Sequence, residues 1–151
     1  MNYEEKFITL DETYLPQMAE LFRNAFGGDP WYDDWSDKVQ LNEYIRDLSC
    51  CHSSLNYGLL TGGSLTAMSV GTVRHWWEGT NYVIEEFCVS PDFRHKGTGT
   101  RFMGMIEDDV KKRGIAGIYL QTDKDKPSYA FYRKNGFDEL DTRVSFFKSL
   151  I

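Results

Sequence analysis

A chain of 151 residues with 41% hydrophobic content can bury one compact core and is short for two ordinary domains, so residues 1–151 are read as a single domain. A net charge of −6 argues against non-specific nucleic-acid binding, which draws on a surplus of Lys and Arg facing phosphates, and fits a cationic partner better. The start, Met1-Asn2-Tyr3-Glu4-Glu5-Lys6, lacks a basic-then-apolar signal pattern, and no apolar run approaches the ~18 residues of a membrane span, so a cytoplasmic protein with no membrane partner is expected.

After a short apolar beginning at Phe7-Ile8-Thr9-Leu10, the residues Leu15, Met18, Ala19, Phe22, Ala25 and Phe26 recur at helical spacing until Gly27-Gly28 stops them. A second helix is expected from a Ser36 cap, with Leu41, Tyr44, Ile45 and Leu48 on one face. Between them Asp29-Pro30-Trp31-Tyr32-Asp33-Asp34-Trp35 crowds acids among aromatic rings. The cysteines, Cys50 and Cys51 adjacent and Cys88 distant, give neither a disulfide framework nor metal-ligand spacing; they read as reduced, semi-buried packing residues, and no metal is expected.

From Leu55 the texture becomes that of an antiparallel meander, 56–61, 64–75 and 82–89, punctuated by Gly62-Gly63 and by Glu78-Gly79. A helix over about 100–113 follows, with Phe102, Met103, Ile106 and Val110 inward and Gly114 closing it. Then come a buried strand at 118–122, a short helix over 128–135 ended by Gly136, and a last strand at 144–148. The order implies a mixed α/β fold with one parallel βαβ pair inside an otherwise antiparallel sheet.

The sharpest local signal is Arg94-His95-Lys96-Gly97-Thr98-Gly99-Thr100, between a strand end and a helix start. Amides in the first helical turn lack internal acceptors and the helix dipole adds partial positive charge, so an anion can be held there by backbone alone. Arg94, His95, Lys96 and Arg101 add basic groups, as a pyrophosphate site requires. The dinucleotide fingerprint is excluded by Phe102 where glycine is needed, and the P-loop by Gly99-Thr100-Arg101 where Gly-Lys-Ser/Thr is needed.

The run from Val89 to Gly99 resembles the acetyl-coenzyme A motif Gln/Arg-x-x-Gly-x-Gly/Ala of the GCN5-related N-acetyltransferase (GNAT) superfamily, and Ser128 to Phe137 resembles its second signature, a helical Tyr followed by Lys-x-Gly-Phe. The resemblance implies the GNAT fold: a mostly antiparallel sheet whose central parallel pair splays to hold acetyl-CoA, with helices on both faces. It also implies that Phe87, Cys88 and Val89 pair with the pantetheine arm, and that Arg94 to Thr100 hold the pyrophosphate. Asp125 stands where relatives often have a cofactor-contacting Asn, and His95 where they often have Gly. Relatives commonly dimerise, which implies a homodimer.

Amine acetylation needs a neutral amine, a polarised thioester and a proton for the departing thiolate. Glu85 and Glu86, neighbours at a strand end, face opposite ways; Glu85 matches the catalytic Glu of enzymes resembling spermidine/spermine acetyltransferases, making it the candidate base and Glu86 an amine-binding partner. Tyr132 is the candidate acid, since a phenol of pKa about 10 can protonate a thiolate of pKa about 8.5. Cys88 offers a covalent route that is disfavoured, with no His near it in the motif. Asp29, Trp31, Tyr32, Asp33, Asp34, Trp35 and Trp77 suit an ammonium ligand through carboxylates and aromatic faces. The expected reaction is acetyl transfer from acetyl-CoA to a primary amine of a polyamine, aminoglycoside or amino sugar; the alternatives are a lysine or N-terminal amine of a protein, or acetyl-CoA binding without turnover.

Overall fold

A computed structural model describes residues 4–151; Met1, Asn2 and Tyr3, which open the stretch read for a signal pattern, lie outside the described residues. The chain divides into two compact units, one ending at Gln121 and the other spanning Thr122–Ile151.

In the first unit five strands, β1 (Glu5–Thr9), β2 (Ser54–Thr61), β3 (Ser64–Trp76), β4 (Gly79–Val89) and β5 (Gly117–Leu120), pair in chain order. All neighbours are antiparallel except β4 and β5, which are parallel and joined by helix α3 (Thr98–Lys112). The parallel pair therefore lies at one end of the strand order among the described residues. Residues 144–148 form no strand: Phe146 and Phe147 are each 93% exposed. Their composition suits a strand, but a strand forms only by joining a ladder, and the five-stranded sheet runs from β1 to β5 without this segment.

Helix α1 (Leu15–Gly27) has Pro16 in its first turn, where the missing N–H costs nothing, and buries Met18, Ala19, Leu21, Phe22 and Ala25. Helix α2 (Lys38–Ser49) is capped by Asp37 rather than Ser36: its carboxylate accepts from the amides of Val39 and Gln40 at 3.0 and 3.1 Å. A carboxylate suits the positive end of a helix and supplies a stronger acceptor than a hydroxyl. The buried faces of α1 and α2 pack together with Met68 and Val70 of β3 and Cys88 of β4.

The opposite face of the sheet belongs to α3. Phe102 stacks on Phe87 at 5.5 Å and meets the edge of Phe7, while Phe7 stacks on Tyr57. A charged tie fixes the helix: the Tyr57 hydroxyl donates to Asp109 at 2.6 Å, and Arg113 Nε donates to the same oxygen at 2.7 Å. The Tyr57 hydrogen bond, ahead of the Arg113 charge, lowers the Asp109 carboxyl below its usual range.

The strand alternation breaks once where it matters. Val70 pairs with Glu86 and Gly71 with Ile84, so Glu85 is an extra residue on β4, a β-bulge. Glycine at 71 permits it: a Cβ there would stand 2.4 Å from the carbonyl oxygen of Val83 and 2.6 Å from the Tyr82 ring. The bulge is why Tyr82 and Phe87, an odd number of residues apart, both reach the aromatic layer with Tyr57 and Phe102.

The second unit holds helix α4 (Pro127–Lys134) and the irregular residues after it. Glu139 accepts from Lys124 Nζ at 2.9 Å and from the Tyr129 hydroxyl at 2.9 Å, tying the stretch after α4 to the helix and to the turn before it. Among the described residues no helix is long and apolar enough to cross a membrane.

Candidate active site

Two features converge on the end of β4: a loop that enters α3 with first-turn amides unpaired among the described residues, and a cluster of acids beside it. The loop follows a turn at Pro91–Phe93 and enters α3 through Gly97, whose φ of 76° is left-handed. The first bond inside α3 runs from the Arg101 amide to the Gly97 carbonyl at 3.0 Å, so the amides of Thr98, Gly99 and Thr100 precede any intrahelical acceptor. Among the described residues no side chain caps this end. Beside it β4 pairs with β5 only as far as Ile84 and Leu120; from there to Val89, among the described residues, it is laddered to β3 on one side and open on the other. Amides aimed at a phosphate and an open strand edge fit a diphosphate joined to an extended, amide-bearing arm.

The basic side chains of the loop behave differently from expectation. Arg94 turns away from the amides: its guanidinium donates to the carbonyls of Ala25 and Asp29 and lies 5.5 Å from the Trp31 ring centre. Arg101 donates to the Lys96 carbonyl at 3.0 Å and pairs with Glu5 at 2.6 Å, bracing the loop from within. Lys96 lies over the Phe93 ring, and His95 is exposed in a left-handed conformation, φ 60°. A positive φ is cheap for Gly and strained for other residues, which gives a physical sense to glycine at this place in relatives.

On the face covered by α1 and α2, Glu86 is half-buried and accepts a 2.6 Å hydrogen bond from the Tyr44 hydroxyl of α2. Burial raises the Glu86 carboxyl above its usual value; the Tyr44 bond opposes this, and the charges of Asp33 and Glu85 add to it. Among the described residues Glu86 has no ion-pair partner. Burial, followed by the bond to Glu86 and the surrounding carboxylates, also pushes the Tyr44 hydroxyl well above the phenol range. Tyr44 in turn stacks on Trp35 at 5.2 Å, and the Trp35 indole nitrogen is buried without a hydrogen-bond partner. Glu85, on the bulge, is exposed and has Arg74 at 3.7 Å.

The structure thus brings Asp33, Trp35, Glu85 and Glu86 together and adds Tyr44, which spacing identified only as a residue of an apolar helix face. No sequence signal could have linked residues 44 and 86, which meet only through the packing of α2 on the sheet. Other residues of the loop before α2 serve the loop itself: Asp34 accepts from the Ser36 amide at 3.0 Å, the Asp29 carbonyl receives Arg94, Trp31 packs edge-on to Phe26, and Tyr32 is 69% exposed. Trp77 is not gathered in. It is 82% exposed at the tip of the β3–β4 hairpin, roughly 20 Å along the strand from Glu86 at ~3.3 Å per residue.

Cys88 is buried, and burial raises its thiol far above the range in which a thiolate forms, against a covalent route through it. Cys50 and Cys51, expected to be semi-buried, are exposed at the end of α2, where the chain turns toward β2. In the second unit Tyr132 lies on α4, edge-on to Phe131 and Phe137, and Asp125 is exposed in the turn before α4. Among the described residues no group of His, Cys, Asp and Glu gathers as metal ligands.

Comparison with known proteins agrees with this architecture. The chain is 25% identical over 145 residues to the [ribosomal protein bS18]-alanine N-acetyltransferase of Escherichia coli K12, covering 92% of this chain and 84% of that one. Its fold matches the aminoglycoside N-acetyltransferase AAC(6')-Iy in complex with CoA, with a TM-score of 0.74 at 15% identity over 100% of this chain and 98% of that one. An aminoglycoside acetyltransferase from an uncultured soil metagenomic sample, in complex with sisomicin, gives 0.74 at 19% identity over 97% of each chain. The model of the acetyltransferase (GNAT) family matches residues 15–137, and with most of its length inside that match, the chain belongs to the GNAT acetyltransferases.

Proposed function

We propose that this GNAT enzyme moves an acetyl group from acetyl-CoA to a primary amine of a small cationic molecule, of the polyamine, aminoglycoside or amino-sugar class. The observation that carries this reading is Glu86: a half-buried carboxylate, raised by its burial, next to Asp33 and Glu85 and, among the described residues, without an ion-pair partner. An uncompensated buried charge costs stability unless a partner arrives, and an ammonium group would be such a partner for Glu86. Trp35 and Tyr44 add aromatic faces, each good cation–π contact contributing about 0.5 to 2 kcal/mol.

Bound acetyl-CoA would supply the activated acetyl thioester. The amides of Thr98, Gly99 and Thr100 would hold its diphosphate, with His95, Lys96 and Gly97 shaping the approach, and the edge of β4 at Phe87, Cys88 and Val89 would pair with the arm. Glu86, fixed by Tyr44, binds the ammonium. Glu85 takes one of its protons, because a protonated amine has no lone pair with which to attack, and its exposure lets that proton pass to water. Tyr132 is assigned the role of acid for the departing thiolate, on its place in the second signature and on the match between phenol and thiol acidities.

The likeness to the bS18-alanine enzyme favours a second reading, in which the acceptor is a protein amino terminus. Thiol release from acetyl-CoA, measured against spermidine, kanamycin, glucosamine and a peptide beginning with alanine, separates the two. At least one small cation is expected to exceed the peptide tenfold or more in kcat/KM; the reverse order overturns the proposal.

A further inference from the structure

The loop that receives the cofactor and the loop that receives the amine are joined by one side chain. Arg94 follows the turn after β4, yet its guanidinium reaches the carbonyl of Ala25 in the last turn of α1 and the carbonyl of Asp29 beyond it, residues more than sixty positions away. It also lies on Trp31. Carbonyls at a helix C-terminus have no internal donors and carry the negative end of the helix dipole, so a guanidinium satisfies both at once. Its planar fork can bond two carbonyls while one face stacks on an aromatic ring, which an ammonium cannot do.

Residues 28–35 have few other backbone hydrogen bonds among the described residues, although Trp31 packs on Phe26 and Trp35 on Phe22 and Tyr44. Apart from Arg94, the backbone of this loop is held by the Tyr32 amide on Gly28 and the Asp33 amide on Phe26, both 2.9 Å, and Tyr32 has a positive φ of 53°. Asp33 and Trp35, the two residues of the loop that reach the acid cluster, follow directly on this tethered stretch.

We propose that Arg94 is a positioning residue that couples the two halves of the site: it ties residues 25–31 to the cofactor loop, so that filling the cofactor loop steadies the acceptor loop. This rests on the functional reading above. It assigns to Arg94 a role other than phosphate ligand. A ligand that orders one element lowers the entropic cost of binding at the element coupled to it, which gives positive cooperativity between sites.

The test measures hydrogen exchange of residues 28–35 with and without coenzyme A, together with calorimetric affinity for coenzyme A, in the wild type, Arg94→Ala and Arg94→Lys. Expected are slower exchange of this loop on coenzyme A binding in the wild type, loss of that protection in Arg94→Ala, partial recovery in Arg94→Lys, and affinity for coenzyme A within threefold throughout. A tenfold or greater loss of affinity in both variants makes Arg94 a phosphate ligand and overturns the proposal, as does protection that survives in Arg94→Ala. Absence of coenzyme A binding to the wild type overturns the functional reading and this coupling together. Thermal melting of Arg94→Lys, which keeps the charge, checks that the fold is intact.

Discussion

The cofactor loop and the acid cluster sit at the same end of β4 and are built by opposite means. In the loop the groups proposed to face the ligand are amides, fixed by Gly97 and the start of α3, while Arg94 and Arg101 are occupied with holding protein to protein. In the acid cluster the groups proposed to face the ligand are side chains, brought together from α2, the loop before it and the bulge on β4; Glu85 has Arg74 at 3.7 Å, while Glu86 has no ion-pair partner among the described residues. A backbone site is preorganised at no electrostatic cost. A site of crowded carboxylates stores a cost that only its ligand relieves.

The contrast predicts that the largest single effect falls on the acid side. Replacing Glu85 by Gln removes the proton acceptor and keeps the shape, so kcat is expected to fall about a hundredfold to a thousandfold, the usual worth of a positioned general base. Affinity for coenzyme A, measured by calorimetry, should stay within twofold. A kcat within threefold of wild type would move the base elsewhere and undo the division of labour between the two regions.

The loop side is sharpened by pairing two substitutions. Gly97→Ala forces a Cβ onto a left-handed residue and brings it to 3.4 Å from Arg101, so stability should fall by about 1 kcal/mol and coenzyme A affinity about tenfold. Lys96→Ala deletes a charge but no amide, and a smaller loss, about threefold, is expected. If Lys96→Ala proves the more damaging by calorimetry, basic side chains and not amides carry the phosphate.

A third measurement reads the stored cost directly. Burial on folding raises the Glu86 carboxyl above its ordinary value of 4.5, so the folded protein binds that proton more tightly than the unfolded chain. The resulting penalty is full at pH above the raised value and is relieved as pH falls toward the unfolded value. Glu86→Gln should therefore melt about 2 °C higher than wild type at pH 8, the difference closing near pH 4. The same substitution should raise the acceptor KM. A variant less stable than wild type at pH 8 would mean that the Glu86 charge is already compensated.

What sequence revealed divides along the same line. Gly97, the helix start and the flanking signature are local, so the loop could be read from its own residues, as could the amphipathic faces of α1 and α3. The bulge that exposes Glu85 could not, because it depends on a missing Cβ at Gly71 on the neighbouring strand. Tyr44 looked like core because hydrophobic periodicity counts its ring and ignores its hydroxyl, and the contacts of Arg94 with Ala25 on α1 and Asp29 beyond it were hidden by their distance along the chain. Residues 144–148 show the converse error: β-branched and aromatic composition suggests a strand, but pairing decides whether one forms.

The smallest effect tests how much strain the loop carries. His95 holds a left-handed φ of 60°, which costs a residue with a Cβ about 1 kcal/mol, although His tolerates it better than most. His95→Gly removes that cost in the folded state but gives the unfolded chain more freedom, and the two nearly offset, so chemical denaturation should show a gain of only about 0.5 kcal/mol. Coenzyme A affinity should hold within twofold, since no amide is displaced and His95 is exposed. A tenfold loss would instead show that the imidazole touches the ligand, and that this one side chain of the loop acts in the manner of the acid cluster.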